Sequence, residues 1–259
     1  MWDERQRLAL QRAGKRLTRA GRPWAAPSFV VPGTVGENCR FLAGLAPEVG
    51  LLFFETQACM AYGPQDLPPE LAGLGLRYHV HLPLDLPWER GVAAVWAVVR
   101  ALVDKAAFLA PWGYVLHPPG TVRELEALVG LWTGHGLDPA ALLLENVRGN
   151  DLTALLAPSA ALGLSLCLDL GHLMAYNQPI PELARDWQRV RMLHLCAPGP
   201  GGRHRPLAEL DGAGRALLAR LVAATGPRAV LMLEIFDAPG LFASAALLAD
   251  WMEQWNAAP

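Results

Sequence analysis

The sequence predicts an α/β protein built as a closed (β/α)8 TIM barrel with a short N-terminal extension. Three observations predict it. Eight short apolar runs alternate with helix-length segments along 259 residues, which is the order of a parallel sheet wrapped in helices. The runs are continuously apolar, as expected for strands covered on both faces. A single domain of about 200–250 residues is ordinary for such a barrel, so length asks for no linker. An open doubly wound sheet competes, but it wants a Gly-rich phosphate turn after the first strand. "VPGTVGENCR" carries two glycines without the G-x-G-x-x-G spacing.

Taken in order, residues 1–27 read as a basic extension, either an added helix under the barrel or a frayed tail. Residues 28–259 read as one barrel domain. Strands are expected at 28–33 (SFVVPG), 50–56 (GLLFFET), 77–83 (RYHVHLP), 113–119 (GYVLHPP), 141–147 (ALLLENV), 164–170 (LSLCLDL), 190–197 (VRMLHLCA) and 229–235 (AVLMLEI). Between them, "ERGVAAVWAVVRALVDKAAFLA", "PLAELDGAGRALLARLVAAT" and "LFASAALLADWMEQW" repeat apolar residues at helical spacing. "TVRELEALVGLW" opens with Thr121 as N-cap and Glu124 at the capping-box position. Gly113, Gly163 and Pro227 punctuate the joins.

The formal net charge of −2 is unevenly spread. The first 22 residues carry seven bases against Asp3 and Glu4, leaving fifteen bases against twenty-two acids in the rest. That acidic body is a poor match for a nucleic-acid backbone, which is bound through Lys and Arg. Cys39, Cys59, Cys167 and Cys196 lack any Cys-x-x-Cys spacing and read as free thiols of a reducing compartment. No run approaches the roughly 18 apolar residues that span a bilayer, and no signal-peptide core is visible. A cytoplasmic protein, of open oligomeric state, is expected.

In parallel barrels the reacting groups sit where strands finish. Strand ends here offer Glu55, His79 or His81, His117, Glu145, Asp169 with His172 just beyond, His194 and Glu234, and His204 follows in the loop "GPGGRHRPL". One of His79 and His81 is expected to face the mouth. Imidazoles and carboxylates without thiolate suit a divalent transition metal such as Zn, Mn, Fe or Co, and the carboxylates can bridge two ions. The expected metal ligands are His81, His117, Glu145, Asp169, His172, His194, His204 and Glu234, with catalytic parts for Glu145, Glu234 and His117.

The motifs His81-Leu82-Pro83, His117-Pro118, Glu145-Asn146 and Asp169-Leu170-Gly171-His172 stand in strand order. With His194 on strand 7 and Glu234 on strand 8, they resemble the xylose isomerase-like barrels, among them endonuclease IV and many sugar isomerases and epimerases. The resemblance implies a quartet of Glu145, Asp169, His194 and Glu234 in epimerases. Endonuclease IV-like phosphodiesterases add histidines, matched here by His81, His117, His172 and His204. The family's Asp two positions before the last histidine is replaced by Gly202, so one or two ions are expected and not three. "GTVGENCRFLA" and "HVHLPLDLPW" look most like cobamide-remodelling phosphodiesterases, which hydrolyse the nucleotide-loop phosphodiester of a corrinoid. That resemblance implies a small-molecule substrate, with Trp88, Trp112, Trp132 and Tyr62 as candidates to line an apolar mouth. A sugar isomerase or epimerase, or an abasic-site DNA endonuclease, is the alternative. A carrier without turnover has little use for so many convergent donors.

Overall fold

The computed structural model describes residues 4–180 and 186–257, so the first three residues of the basic extension fall outside it. Eight parallel strands form the barrel: β1 (Trp24–Pro27), β2 (Glu48–Leu52), β3 (Arg77–His81), β4 (Tyr114–Leu116), β5 (Leu142–Glu145), β6 (Ser165–Asp169), β7 (Val190–Leu195) and β8 (Val230–Leu233). Neighbours in sequence are neighbours in space, and β1 also bonds to β8, so the sheet has no edge. The strands are buried almost throughout, which is why their sequences run apolar without alternation.

The alternation survives as a division between two cores. Ala25, Leu52, Val115, Leu143, Cys167, Met192, Val230 and Met232 form the cluster inside the barrel. Their neighbours along the strands, such as Ala26, Leu51, Leu116, Leu144, Leu193 and Leu231, pack outward beneath the helices. Among those helices, α4 (Val92–Ala106) buries Val95, Val99, Leu102 and Val103, spaced by three and four residues. Helix α5 (Val122–Gly134) starts at the Thr121–Glu124 capping box that its sequence announces.

The first strand lies at Trp24–Pro27, upstream of the expected 28–33, so the barrel begins inside the stretch read as extension. The cause is Asn38, a buried side chain of α2 (Val35–Leu42). Its Oδ1 accepts from the Val30 and Val31 amides at 2.7 and 2.9 Å, and its Nδ2 donates to the Val31 and Thr34 carbonyls. Those main-chain groups are thereby satisfied in a loop, and the apolar "SFVV" does not join the sheet. Upstream, α1 (Glu4–Arg19) lies against the barrel's N-terminal end and against α9 (Ala238–Ala257). Gly14 permits the approach, since a Cβ there would stand 2.7 Å from the Leu45 carbonyl oxygen. Arg16 reaches Asp250 at 2.6 Å and Glu253 at 2.8 Å on α9.

All four cysteines are buried and unpaired. Among the described residues no helix is long and apolar enough to cross a membrane.

Candidate metal centre

Each strand end delivers its polar group for a local reason. At the end of β5, Glu145 points into the barrel mouth while Asn146, wholly buried, ties two strands together. Asn146 Oδ1 accepts from the Asp169 amide at 2.7 Å, and its Nδ2 donates to the Asp169 carbonyl and to Gln178. Asp169 then caps α7 (Leu170–Ala175), its Oδ1 accepting from the His172 amide at 2.5 Å. Gly171 is required between them, because a Cβ would lie 2.5 Å from Cys196 Sγ. The "E-N" and "D-x-G-H" motifs are thus one interlocked corner.

The donors converge on Glu145. Its Oε1 is 2.8 Å from His194 Nδ1, and its Oε2 is 3.0 Å from His81 Nε2 and 3.3 Å from His117 Nε2. His194 Nδ1 is also 3.3 Å from Glu234 Oε2 and 3.9 Å from Asp169 Oδ2. Two overlapping groups have ligand atoms within 4.8 Å of one another: His81, Glu145 and His194, and Glu145, Asp169, His194 and Glu234. The two groups share Glu145 and His194. His172 and His204 flank them, His172 3.9 Å from Asp169 Oδ1 and His204 3.4 Å from Glu234 Oε2.

Three of the imidazoles are oriented by main-chain carbonyls. His81 Nδ1 bonds to the Leu82 carbonyl at 2.8 Å, His172 Nδ1 to that of Asn146 at 2.8 Å, and His204 Nδ1 to that of Glu234 at 3.0 Å. A ring that donates through Nδ1 keeps Nε2 as its free lone pair, the arrangement that metal-binding histidines adopt. Only His81 of the pair faces the mouth, but alternation is not the reason, since His79 and His81, being two residues apart, both point inward. They differ in depth. His81 stands at the rim, whereas His79 lies a layer lower over Gly50, where a Cβ would meet its Nε2 at 2.6 Å. There His79 Nδ1 bonds Glu48 Oε1 at 2.8 Å and belongs to the floor. Glu55 is exposed beyond β2 and stays out of the cluster.

The electrostatics are those of crowded acids balanced by imidazoles. Burial alone would raise the pKa of Glu145, yet His194, His117 and His81 hold it well below the carboxylate range. Glu234 is likewise brought to about 2 against its burial, chiefly by His194. Asp169 is raised by burial, and the charges of Glu145 and Glu234 add to that while His172 opposes it. Despite burial, His194 is pushed well above its ordinary value, with Cys167, Glu145 and Glu234 as the causes. Asp169 Oδ2 is buried without a hydrogen-bond partner. Three buried carboxylates facing one another, one with an orphaned oxygen, fit the demands of a divalent cation.

Above the cluster opens a cavity of about 440 Å³, into which Glu145, Glu234 and the imidazoles of His81, His117, His172 and His204 face, together with Phe54, Leu84, Arg203, Arg205 and Phe236. Trp88, Trp112, Trp132 and Tyr62 do not line it. Trp132 is buried under α5 against Tyr114, Tyr62 packs on Phe53, and Trp88 rests on the outer core. Trp112 belongs to the opposite end, its Nε1 donating to Glu48. Phe54 and Phe236 carried a signal that a strand-end reading overlooks. Each stands two residues past an inward position, Leu52 and Glu234, so each keeps the inward parity.

No family model matches the chain, and no curated protein matches it in sequence. Solved structures do match. A D-tagatose 3-epimerase-like protein superposes with a TM-score of 0.62 at 15% identity, covering 90% of this chain and 98% of its own. A xylose isomerase domain protein from Planctomyces limnophilus gives 0.60 at 18%, with 90% and 97% covered. A Thermus thermophilus protein soaked with zinc chloride gives 0.58 at 22%, with 91% and 97% covered. The chain therefore has the (β/α)8 fold of the xylose isomerase-like barrels.

Proposed function

We propose that the chain is a metal-dependent phosphodiesterase holding one or two divalent transition-metal ions, and that its substrate is the nucleotide-loop phosphodiester of a cobamide. The observation that carries this reading is the surplus of imidazoles. Glu145, Asp169, His194 and Glu234 suffice for a single ion, yet His81, His117, His172 and His204 stand around the same carboxylates, three of them with Nδ1 already engaged. Such a set would also hold a second ion on the His81 side of the cluster. Bound ions would offset charge on the phosphate and lower the pKa of an attacking water.

The chain's own residues do the rest. Glu145 and Glu234, kept ionised, hold positive charge beneath the phosphate. His117, whose side chain is 24% exposed against 20% for His172, 16% for His204 and 5% for His81, is the most exposed of the cavity-lining imidazoles. It passes a proton to the leaving oxygen as the phosphorus–oxygen bond breaks. A water proton is released to solvent as the new bond forms. Main-chain carbonyls behind His81, His172 and His204 keep the rings from turning away.

The likeness to an epimerase-like structure supports a second reading, in which Glu145 and Glu234 exchange a proton at a sugar carbon. Against it, both oxygens of Glu145 are engaged by three imidazoles, and Glu234 is a weak base. Turnover decides between them. Metal-loaded protein is expected to hydrolyse a cobamide or model diester, and His117→Ala to lose roughly a hundredfold in rate, the scale of a lost proton donor. Full activity in His117→Ala at full metal loading would remove His117 from the mechanism. Deuterium exchange into a ketohexose without diester cleavage would establish the epimerase instead.

A further inference from the structure

Phe54, Leu84 and Phe236 line the cavity beside the charged cluster, and nothing in the reaction above uses them. They belong to a continuous wall. Phe29 meets Phe54 edge-on with centroids 5.5 Å apart, Phe54 meets Phe236 at 5.6 Å, and Phe236 stacks on His204 at 4.9 Å. Leu84 joins through its amide, which donates to the Phe54 carbonyl at 3.1 Å. The wall rises from the ends of β8, β1, β2 and β3 to the solvent, where Leu84 is 50% and Phe29 41% exposed. Apolar side chains grouped in water at the lip of a charged cavity mark a surface that something covers.

Next to the wall, beyond His204, the mouth is basic. There a short antiparallel pair, Ala197–Pro198 with His204–Arg205, carries Arg203 and Arg205 over the cavity. The turn between the paired segments is built for this. Gly201 and Gly202 take φ of 69° and 77°, and a Cβ on Gly199 would stand 2.9 Å from the Arg203 carbonyl. Arg205 is bound to Glu209 at 2.8 Å, whereas Arg203 has no ion pair among the described residues.

We infer that the mouth is a two-part specificity site: Phe54, Leu84 and Phe236 seat a flat, ring-bearing arm of the substrate, while Arg203 takes an anionic oxygen on phosphorus. The preferred substrates are then amphiphilic organophosphates and not small polyhydroxy compounds, an inference that rests on the phosphodiesterase reading for its choice of anion. Charge complementarity and the wall's continuity with the metal-ligand cluster commit the surface to this occupant.

Two non-hydrolysable probes test it on zinc-loaded protein by titration calorimetry: methylphosphonate and 1-naphthylmethylphosphonate. The naphthyl probe is expected to bind about tenfold or more tightly than the methyl one, because a ring's apolar surface leaves water. Leu84→Ser, at a half-exposed position that the fold tolerates, and Phe54→Ala are each expected to erase most of that preference. Arg203→Gln is expected to weaken both probes alike, with Arg203→Lys restoring part. Equal binding of the two probes by the unmodified protein would overturn the inference, as would a preference that survives both wall variants. Diester hydrolysis is measured separately. Cleavage without probe preference removes the wall and leaves the phosphodiesterase, whereas probe preference without cleavage does the reverse.

Discussion

His81, His172 and His204 show how a single side chain is held ready to serve as a ligand: each engages Nδ1 with a neighbouring carbonyl and keeps Nε2 on the cavity side. Opposite them, Glu145, Asp169 and Glu234 are balanced within the chain by imidazoles whose pKa values are raised. Those of His81, His172 and His194 lie above the ordinary value, each against its own burial and because of the surrounding carboxylates. A cation entering this cluster must displace those protons. Zinc binding is therefore expected to release protons and to tighten as pH rises from about 6 to 8, since histidine must be neutral to ligate. Calorimetry in buffers of different ionisation enthalpy checks this, and heats independent of buffer would contradict it. Most of the cluster was legible in the sequence because an apolar run ending in Glu145, Asp169 or Glu234 has no other ready explanation. The tryptophans were not legible, because a large ring fits a core and a mouth equally well. Phe54 and Phe236 needed parity counted past the strand, not only at its last residue.

At the scale of elements, β2, β3 and the entry to β4 share one buried charge. Glu48 at the start of β2 accepts from His79 and from Trp112, both at 2.8 Å, and faces Arg77 at 3.4 Å. Burial works to raise its pKa, but His79, Trp112 and Arg77 together keep it lowered. His79 is lowered by burial, so the ring is neutral and its Nδ1–H is the donor. Glu48→Ala strands the buried His79 N–H and the partly buried Trp112 N–H and is expected to cost about 2–4 kcal/mol, measured by urea unfolding at neutral pH. A depressed carboxylate pKa means that the unfolded chain binds the extra proton. The stabilisation is therefore full above the unfolded value of about 4.3 and fades as pH falls through the lower folded value. The gap between Glu48→Ala and the unmodified protein should accordingly narrow below about pH 4, and a constant gap would show that charge plays no part. Elements also show where pattern reading fails. The apolar run at 28–33 has strand composition, but Asn38 claims its amides from a helix ahead. The true β1, "WAAP", is short, and half of it is alanine, which disguises it.

For the whole molecule, the eight-strand architecture was readable from the alternation of runs and helices, since each strand's burial leaves its own stretch of apolar sequence. The extension was not, because a basic amphipathic stretch looks alike whether it docks or frays; here Arg16 fixes it to α9. A metal that binds only the closed barrel stabilises it by mass action, by about 2.7 kcal/mol at a hundredfold excess over its dissociation constant. For a chain of this size that corresponds to a rise in Tm of roughly 5–10 °C. Scanning calorimetry with and without zinc is expected to show the rise, and Glu145→Gln to abolish it. An unshifted Tm in the unmodified protein at saturating zinc would count against a shared cation in the mouth.

The seam between β1 and β8 joins residues some two hundred positions apart, Trp24 to Leu231 and Ala25 to Met232. Glu234 stands just beyond that last stave, so a nascent polypeptide still short of it offers the cell's metal pool only scattered, weakly competing donors. On the proposed function, a bound cation would therefore report that the cylinder has shut.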